Sequence, residues 1–213
     1  MLTIRTFTFN PYQENTYLLY NEQGNALIID PGMYGEKEQT EFLTFVDLHN
    51  LTPKLLLNTH CHIDHVLGNY FIHEKFGLLP QFHEGELSTL VAVQNYAPQM
   101  GFRYDISPIG EVFLEDGDKI QIDNDELEVI LAPGHSPAHI CFYSAAQKFL
   151  IGGDVLFRNS IGRTDLPGGN HQQLLDNIKQ RLYTLPDDTL VYPGHGPSTT
   201  IGFEKNSNPF IRG

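Results

Sequence analysis

Residues 59–65 read Thr59-His60-Cys61-His62-Ile63-Asp64-His65, which puts metal-ligand side chains at positions 60, 62, 64 and 65. In extended backbone, residues i, i+2 and i+4 point to the same side. His60, His62 and Asp64 then converge, and His65 joins them if the chain turns into a helix directly afterwards. The apolar run Lys54–Leu57 just upstream places the motif at a strand end. The alternative is a polar loop in which Asp64 caps the next helix; the density of ligand types favours the metal.

Later positions share this setting. His135 lies in Ala132-Pro133-Gly134-His135-Ser136, Asp154 in Ile151-Gly152-Gly153-Asp154, and His195 in Tyr192-Pro193-Gly194-His195-Gly196. Each is a ligand-type side chain beside glycine after an apolar run, where loops carry functional groups. Singly, each also fits a plain turn or cap. Together they make five His and two Asp on four strand-end loops. That set completes two metal shells if one carboxylate is shared. Of the other histidines, His49, His73 and His171 sit on or beside helical patterns and read as solvated. His83 has a weak claim on the site, and His139 reads as support or core. Cys61 points away from its ligand neighbours in an extended segment and reads as structural, and Cys141 as a small core residue.

The elements that must hold these loops alternate irregularly. Leu2–Phe9, Thr16–Tyr20 and Ala26–Ile29 read as strands, and Asp30-Pro31-Gly32 as a turn. Glu36–Leu48 carries apolar residues at helical spacing. Lys54–Leu57 is a short strand, Val66–Phe76 a helix, Gln81–His83 a short strand and Glu84–Tyr96 a helix. Glu111–Leu114, Lys119–Ile122, Leu127–Ala132, Ile140–Tyr143 and Phe149–Ile151 read as strands. His171–Leu185 reads as a helix and Thr189–Tyr192 as a closing strand. Strands dominate both halves without strict βαβ alternation. The pattern fits two packed sheets with helices outside.

Composition narrows the function. The chain has 213 residues, a net charge of −13 and 40% hydrophobic residues. The charge argues against a nucleic-acid phosphate backbone as partner and against an anionic membrane surface. Two cysteines make no disulfide framework. The start, Met1-Leu2-Thr3-Ile4-Arg5, shows no signal-peptide pattern, and no segment is long enough to span a bilayer. A cytoplasmic location is the expectation.

The His60–His65 motif, Pro133-Gly134-His135-Ser136, Gly153-Asp154 and Gly194-His195 together resemble the metallo-β-lactamase superfamily. Asn15-Thr16-Tyr17, Asp30-Pro31-Gly32, Pro193–Thr199 and Asn208-Pro209-Phe210 make the resemblance strongest to its short glyoxalase II-type thioester hydrolases. The resemblance covers nearly the whole chain. It implies an α/β fold, an αββα sandwich of two mixed sheets with helices outside, formed by residues 1–213 as a single domain. It implies that His60, His62 and His135 hold one metal, that Asp64, His65 and His195 hold a second, and that Asp154 bridges both. Asp64 and Asp154 are thereby the catalytic carboxylates. The expected cofactor is two divalent ions. Zinc suits imidazole and carboxylate ligands, and iron and manganese suit the same donors. Arg163 is the candidate for the anionic part of the substrate, with a surface pair to Asp165 as its alternative, and Arg158 is a weaker candidate. Tyr143 is a substrate candidate whose alternative is a place in the core or sheet.

Departures from the wider family sharpen the expectation. Lactamases with a Cys ligand carry it where Asp154 stands, and they are secreted, so antibiotic hydrolysis is not expected. Full-length glyoxalase II has a further helical domain that helps bind glutathione. Only residues 196–213 follow His195, which implies the absence of that domain and weakens glutathione specificity. The expected partner is a small anionic thioester such as S-D-lactoylglutathione, attacked by a metal-bridging hydroxide. A thiol leaves readily at its ordinary pKa of about 8.5, so no dedicated acid is needed. The rival within the superfamily is a persulfide dioxygenase holding one Fe(II) by His60, His135 and Asp154. A phosphodiesterase and a metal-binding module without catalysis are the remaining alternatives.

Overall fold

The computed structural model describes residues 1–213 and separates into two compact units. The first comprises Met1–Phe82, Leu87–Phe113 and Ile122–Asp125; the second comprises His83–Glu86, Leu114–Gln121 and Glu126–Gly213.

In the first unit the chain runs β1 (Thr3–Phe9), β2 (Glu14–Tyr20), β3 (Asn25–Ile29), α1 (Glu36–Leu48), β4 (Thr52–Leu57), α2 (Ile63–Val66), α3 (Asn69–Phe76), β5 (Pro80–Gln81) and α4 (Leu87–Tyr96). One five-stranded sheet has the order β1-β2-β3-β4-β5. β1, β2 and β3 are antiparallel neighbours, whereas β4 runs parallel to β3 and β5 parallel to β4. A parallel neighbour needs a long crossover, and α1 supplies it between β3 and β4. α1 buries Phe42 and Val46, four residues apart on one face, against Phe7, Phe9, Leu18, Ile28 and Leu56. Such fully buried side chains contribute about 1.5–3 kcal/mol each relative to exposure. A second cluster joins Cys61, Ile63, Val66 and Leu67 to Phe82, Leu90 and Val93. Cys61 is therefore a core residue, as its spacing implied.

In the second unit, apart from Ile122 and Asp125 at the facing ends of its first two strands, the chain runs β6 (Lys119–Ile122), β7 (Asp125–Leu131), β8 (Ile140–Ser144), β9 (Phe149–Gly153), β10 (Leu156–Phe157), β11 (Ser160–Ile161), α5 (His171–Asn177), β12 (Leu190–Pro193), β13 (Thr199–Thr200) and α6 (Ile201–Ser207). The six-stranded sheet has the order β13-β12-β9-β8-β7-β6, and β10 and β11 form a separate hairpin. β9 and β12 run parallel, while β7–β8, β8–β9 and β12–β13 are antiparallel. Its core gathers Ile130, Cys141, Leu150, Val155, Leu174, Ile178, Leu182 and Val191. The fold class is the expected one: mixed α/β with two large mixed sheets and helices. No helix is long and apolar enough to cross a membrane.

Three expected elements differ. Glu111–Leu114 is not a strand; it makes a single bridge, Phe113 to Phe82, beyond the two-residue β5, and Glu111 and Val112 are exposed. So short a neighbour offers no ladder to join. The helix expected over Val66–Phe76 breaks at Leu67-Gly68 into α2 and α3. There the Gly68 N–H donates to Pro31 O at 2.7 Å, and a Cβ on Gly68 would lie 2.7 Å from that oxygen and 2.1 Å from Met33 Sδ. The close passage of the Pro31 turn requires glycine and interrupts the helix. The helix expected over His171–Leu185 is α5 followed by a π-helical turn, Ile178–Leu182.

Gly32 is the tightest crossing of the first unit. Its N–H donates to Thr16 Oγ1 at 2.8 Å, and its carbonyl accepts from Asn10 Nδ2 at 3.0 Å. A Cβ there would lie 2.6 Å from the Asp64 backbone oxygen and 2.0 Å from Glu14 Oε2. Gly32→Ala is expected to lower the unfolding free energy by about 2 kcal/mol or more, because backbone as well as a side chain must shift. Urea unfolding of the metal-free protein measures this, and a loss under about 0.5 kcal/mol contradicts the packing described.

Candidate metal centre

Parallel pairing positions the donors. Because β3 and β4 run parallel, their C-terminal ends lie side by side, and the Asp30 N–H donates to Leu57 O at 3.0 Å. Asp30 follows β3 and Asn58-Thr59-His60 follow β4, so residues far apart in sequence emerge from one sheet end. β9 and β12 do the same in the second unit. Asp154 follows β9, His195 follows β12, and the Gly194 N–H donates to Gly153 O at 2.8 Å.

The first unit gathers His60, His62, Asp64 and His65. The rings of His60 and His62 lie 4.7 Å apart and those of His60 and His65 4.1 Å apart, centroid to centroid. The extended spacing argument holds for His60 and His62 but not for Asp64. α2 already begins at Ile63, so Asp64 and His65 present themselves from its first turn, with Asp64 Oδ2 3.7 Å from His65 Nε2. Asp64 is not a cap; His62 occupies that position, with no side-chain cap bond. Asn58 and Asn69 are buried and bonded to one another, and Asn58 Nδ2 also donates to His65 O at 3.0 Å. This pair fastens the ligand turn to α3.

Asp30, read from sequence only as part of a turn, organises this group. It is buried and takes a positive φ of 50°. Its Oδ1 accepts from Thr59 N at 2.7 Å, and its Oδ2 accepts from Thr59 Oγ1 at 2.6 Å and pairs with His65 Nδ1 at 3.0 Å. A carboxylate accepts, so His65 Nδ1 carries the hydrogen and its Nε2 presents a lone pair. The single hydroxyl hydrogen of Thr59 is spent on Asp30. Thr59 Oγ1 therefore accepts from His60 Nδ1 at 3.1 Å, and His60 likewise presents Nε2. One carboxylate sets two imidazole tautomers, the arrangement by which outer groups orient metal-binding histidines.

Glu14 and Tyr96 lie close by. Glu14 is wholly buried; burial pushes its carboxyl well above the usual carboxylate range, and the neighbouring His65 pulls it part of the way back. Its Oε2 accepts from Thr16 Oγ1 at 2.9 Å. Tyr96 is pushed up to about 12, first by burial and then by the negative charge of Asp64.

The second unit gathers His135, Asp154 and His195. Asp154 Oδ2 lies 3.5 Å from His135 Nε2 and 3.5 Å from His195 Nε2. His135 Nδ1 donates to the Arg163 carbonyl at 2.8 Å; a carbonyl only accepts, so the His135 lone pair is on Nε2. His139, expected as support, accepts at Nε2 from the Asp154 N–H at 3.0 Å and fixes that backbone. Glu86, which the sequence did not single out, is buried and accepts from Ser136 Oγ at 2.6 Å and Ala138 N at 2.8 Å, holding the His135 loop. Its only sequence signal is a carboxylate near the start of a helix.

Arg163 forms the surface pair that was its alternative. Nε and Nη2 meet both oxygens of Asp165 at 2.7 Å, and both side chains are exposed. The pair holds Asp165 down at about 2. The backbone of Arg163, not its side chain, touches the ligand group. Tyr143 lies on β8 and packs in the apolar core of the second unit at 8% exposure, the place that was its alternative.

The donor chemistry fits metal. Imidazole nitrogens and carboxylate oxygens suit zinc, iron and manganese alike, and such donors stand close together in each unit: Asp64 Oδ2 with His65 Nε2 in the first, and Asp154 Oδ2 with Nε2 of His135 and His195 in the second. A family model described as "Metallo-beta-lactamase superfamily" matches residues 9–195. "Hydroxyacylglutathione hydrolase GloC" of Haemophilus influenzae is 34% identical over 99% of this chain and 98% of its own length. Among solved structures, one described as BLEG-1 B3 metallo-beta-lactamase superposes with a TM-score of 0.90 at 34% identity, covering 99% of this chain and all of that one (100%). Another, TTHA1623 in a di-iron-bound form, does so with a TM-score of 0.86 at 36% identity, covering 97% and 100%.

Asp30→Asn removes one acceptor oxygen from the group that sets two tautomers. Metal affinity, read by competition with a chromophoric chelator, is expected to fall by about 10- to 100-fold. Unchanged affinity in a folded Asp30→Asn variant contradicts the tautomer assignment.

Proposed function

The chain belongs to the metallo-beta-lactamase superfamily of metal-dependent hydrolases, and from that premise we propose that it is a binuclear thioester hydrolase of glyoxalase II type. In this reading His60, His62 and His135 hold one divalent ion, Asp64, His65 and His195 hold the other, and Asp154 serves both. The observation that carries it is the position of Asp154 Oδ2, equally distant from the ligand nitrogens of His135 and His195. Those two histidines belong to different shells, and a carboxylate oxygen facing both is suited to bridging. The second support is the relative named as a hydroxyacylglutathione hydrolase, whose length this chain matches almost completely. A short chain is therefore compatible with such a substrate.

When bound, two divalent ions supply Lewis acidity toward a carbonyl oxygen and a water whose pKa is lowered toward ~7. The chain's own groups prepare that chemistry. Asp30 and Thr59 engage Nδ1 of His65 and His60 and so orient both rings with Nε2 toward the proposed metal. The Arg163 carbonyl orients His135 in the same way, through Nδ1. The Asp154 N–H, committed to His139, fixes the backbone that carries the bridging carboxylate. The leaving thiol departs as thiolate, its ordinary pKa being about 8.5, so no side chain is required as general acid. Zinc is the proposed metal, with iron the alternative that the di-iron form of TTHA1623 supports.

The test is metal content and turnover on purified protein. The reading expects about two divalent ions per chain and release of free thiol from S-D-lactoylglutathione. Oxygen consumption with a glutathione persulfide and about one iron per chain overturns it in favour of the dioxygenase. Faster cleavage of a phosphodiester or of a cephalosporin overturns it in favour of those activities. Asp154→Ala is expected to lose metal and to lower kcat/KM by at least about 1,000-fold. An Asp154→Ala protein that retains both ions and a near-normal rate refutes the ligand assignment.

A further inference from the structure

A hydrolase for an anionic thioester needs a cation to receive the anion, and this acidic chain has few. Arg163 is already matched at both ends of its guanidinium by Asp165. Arg158 is not. It stands at the tip of the β10–β11 hairpin, makes no ion pair, and lies with its guanidinium carbon 5.4 Å from the centre of the Phe203 ring. Phe203 is itself 40% exposed. A guanidinium stacked on an exposed ring keeps its in-plane donors available and is held in orientation by the stack.

The hairpin that carries Arg158 is pinned rather than loose. Buried Glu204 of α6, next to Phe203, accepts from the Asn159 N–H at 3.1 Å, from Asn208 Nδ2 at 2.8 Å and from Thr199 Oγ1 at 2.5 Å. Asn208 Nδ2 also donates to Ser160 O at 3.0 Å. Asn159 takes the left-handed conformation, φ 58°, at the second position of the turn, which asparagine tolerates. The residue before Arg158 lies beside one proposed ligand: the ring of Phe157 lies 6.3 Å from that of His195. One short hairpin thus carries an apolar ring beside a proposed ligand and, at the next residue, a cation without an ion pair.

We infer that Arg158, held over Phe203, receives the carboxylate of the thioester substrate, with Phe157 lining the path from that carboxylate to the reacting carbonyl. The inference rests on the hydrolase reading above and adds the residue that selects anionic substrates. The carboxylate can belong to the thiol carrier or to the acyl group, and the substrates of the test separate the two.

The test compares three thioesters on the metal-loaded enzyme. S-D-lactoylglutathione carries carboxylates on the thiol half, S-succinyl-N-acetylcysteamine carries one on the acyl half, and S-lactoyl-N-acetylcysteamine carries none. Arg158→Gln is expected to raise KM about tenfold for at least one anionic compound and less than about twofold for the neutral one. Arg158→Lys is expected to recover part of the loss, and Phe203→Leu to lose part. An equal effect on the neutral compound, no effect on either anionic one, or a preference lost in Arg163→Gln and kept in Arg158→Gln overturns the inference. If the wild-type protein hydrolyses none of the three, the hydrolase reading falls. The inference about Arg158 is then decided by the dissociation constants of the same compounds in calorimetry, with the same expected ratio and the same overturning outcomes.

Discussion

The buried carboxylate of Asp30 is the interaction on which the first half of the site depends. An ionised carboxylate out of water is costly unless donors surround it, and here Thr59 N–H, Thr59 O–H and His65 Nδ1–H do so. Those donors come from the end of the neighbouring parallel strand, so the sheet must form in register before Asp30 is satisfied. Once it has, the same bonds orient the His65 and His60 rings. The stability of the strand pair and the readiness of the ligands are one requirement rather than two. Burying Glu14 close by adds to that requirement, because its carboxyl is held in a region that disfavours charge.

The second unit solves the same problem with backbone. Asp154 and His195 follow neighbouring parallel strands, and the Gly194–Gly153 bond ties the two loops. His135 is oriented by the carbonyl of Arg163, and the Asp154 backbone by His139. These supports are joined by buried Glu86, which accepts from Ser136 Oγ and Ala138 N. They demand close passage: a Cβ on Gly162 would lie 1.9 Å from Asp154 O. The residue preceding Arg163 is small because the Asp154 loop runs against it.

The comparisons separate fold from substrate. One similar structure is described as a B3 metallo-beta-lactamase, another is di-iron-bound, and a relative is named for a glutathione thioester. A scaffold shared so closely cannot by itself choose among those substrates, because function lives in the groups grafted onto it. In this chain two arginines outside the proposed ligand set stand in different settings. One is paired with Asp165 and the other rests on Phe203.

Much of the proposed site was legible in the sequence. Ligand chemistry is a property of residue type, and strand-end placement follows from apolar runs, so His60, His62, Asp64, His65, His135, Asp154 and His195 stood out without coordinates. The mixed α/β class followed from the same runs. Local pattern failed where a neighbour had the deciding vote. Glu111–Leu114 reads as a strand but meets only the two-residue β5, and Val66–Phe76 reads as one helix but is crossed by the Pro31 turn. The tautomers of His65 and His135 were equally invisible, because the acceptors that set them lie 35 and 28 residues away in sequence. So was the role of Asp30, whose local signal is only that of a turn. The sequence by itself determined which atoms are available to bind metal and the overall negative charge. The tertiary structure alone decided which nitrogen of each ring is presented, which carboxylate stands behind it and which arginine is left without a counter-charge, since hydrogen bonds and ion pairs are made by whatever the folded chain brings within about 3 Å.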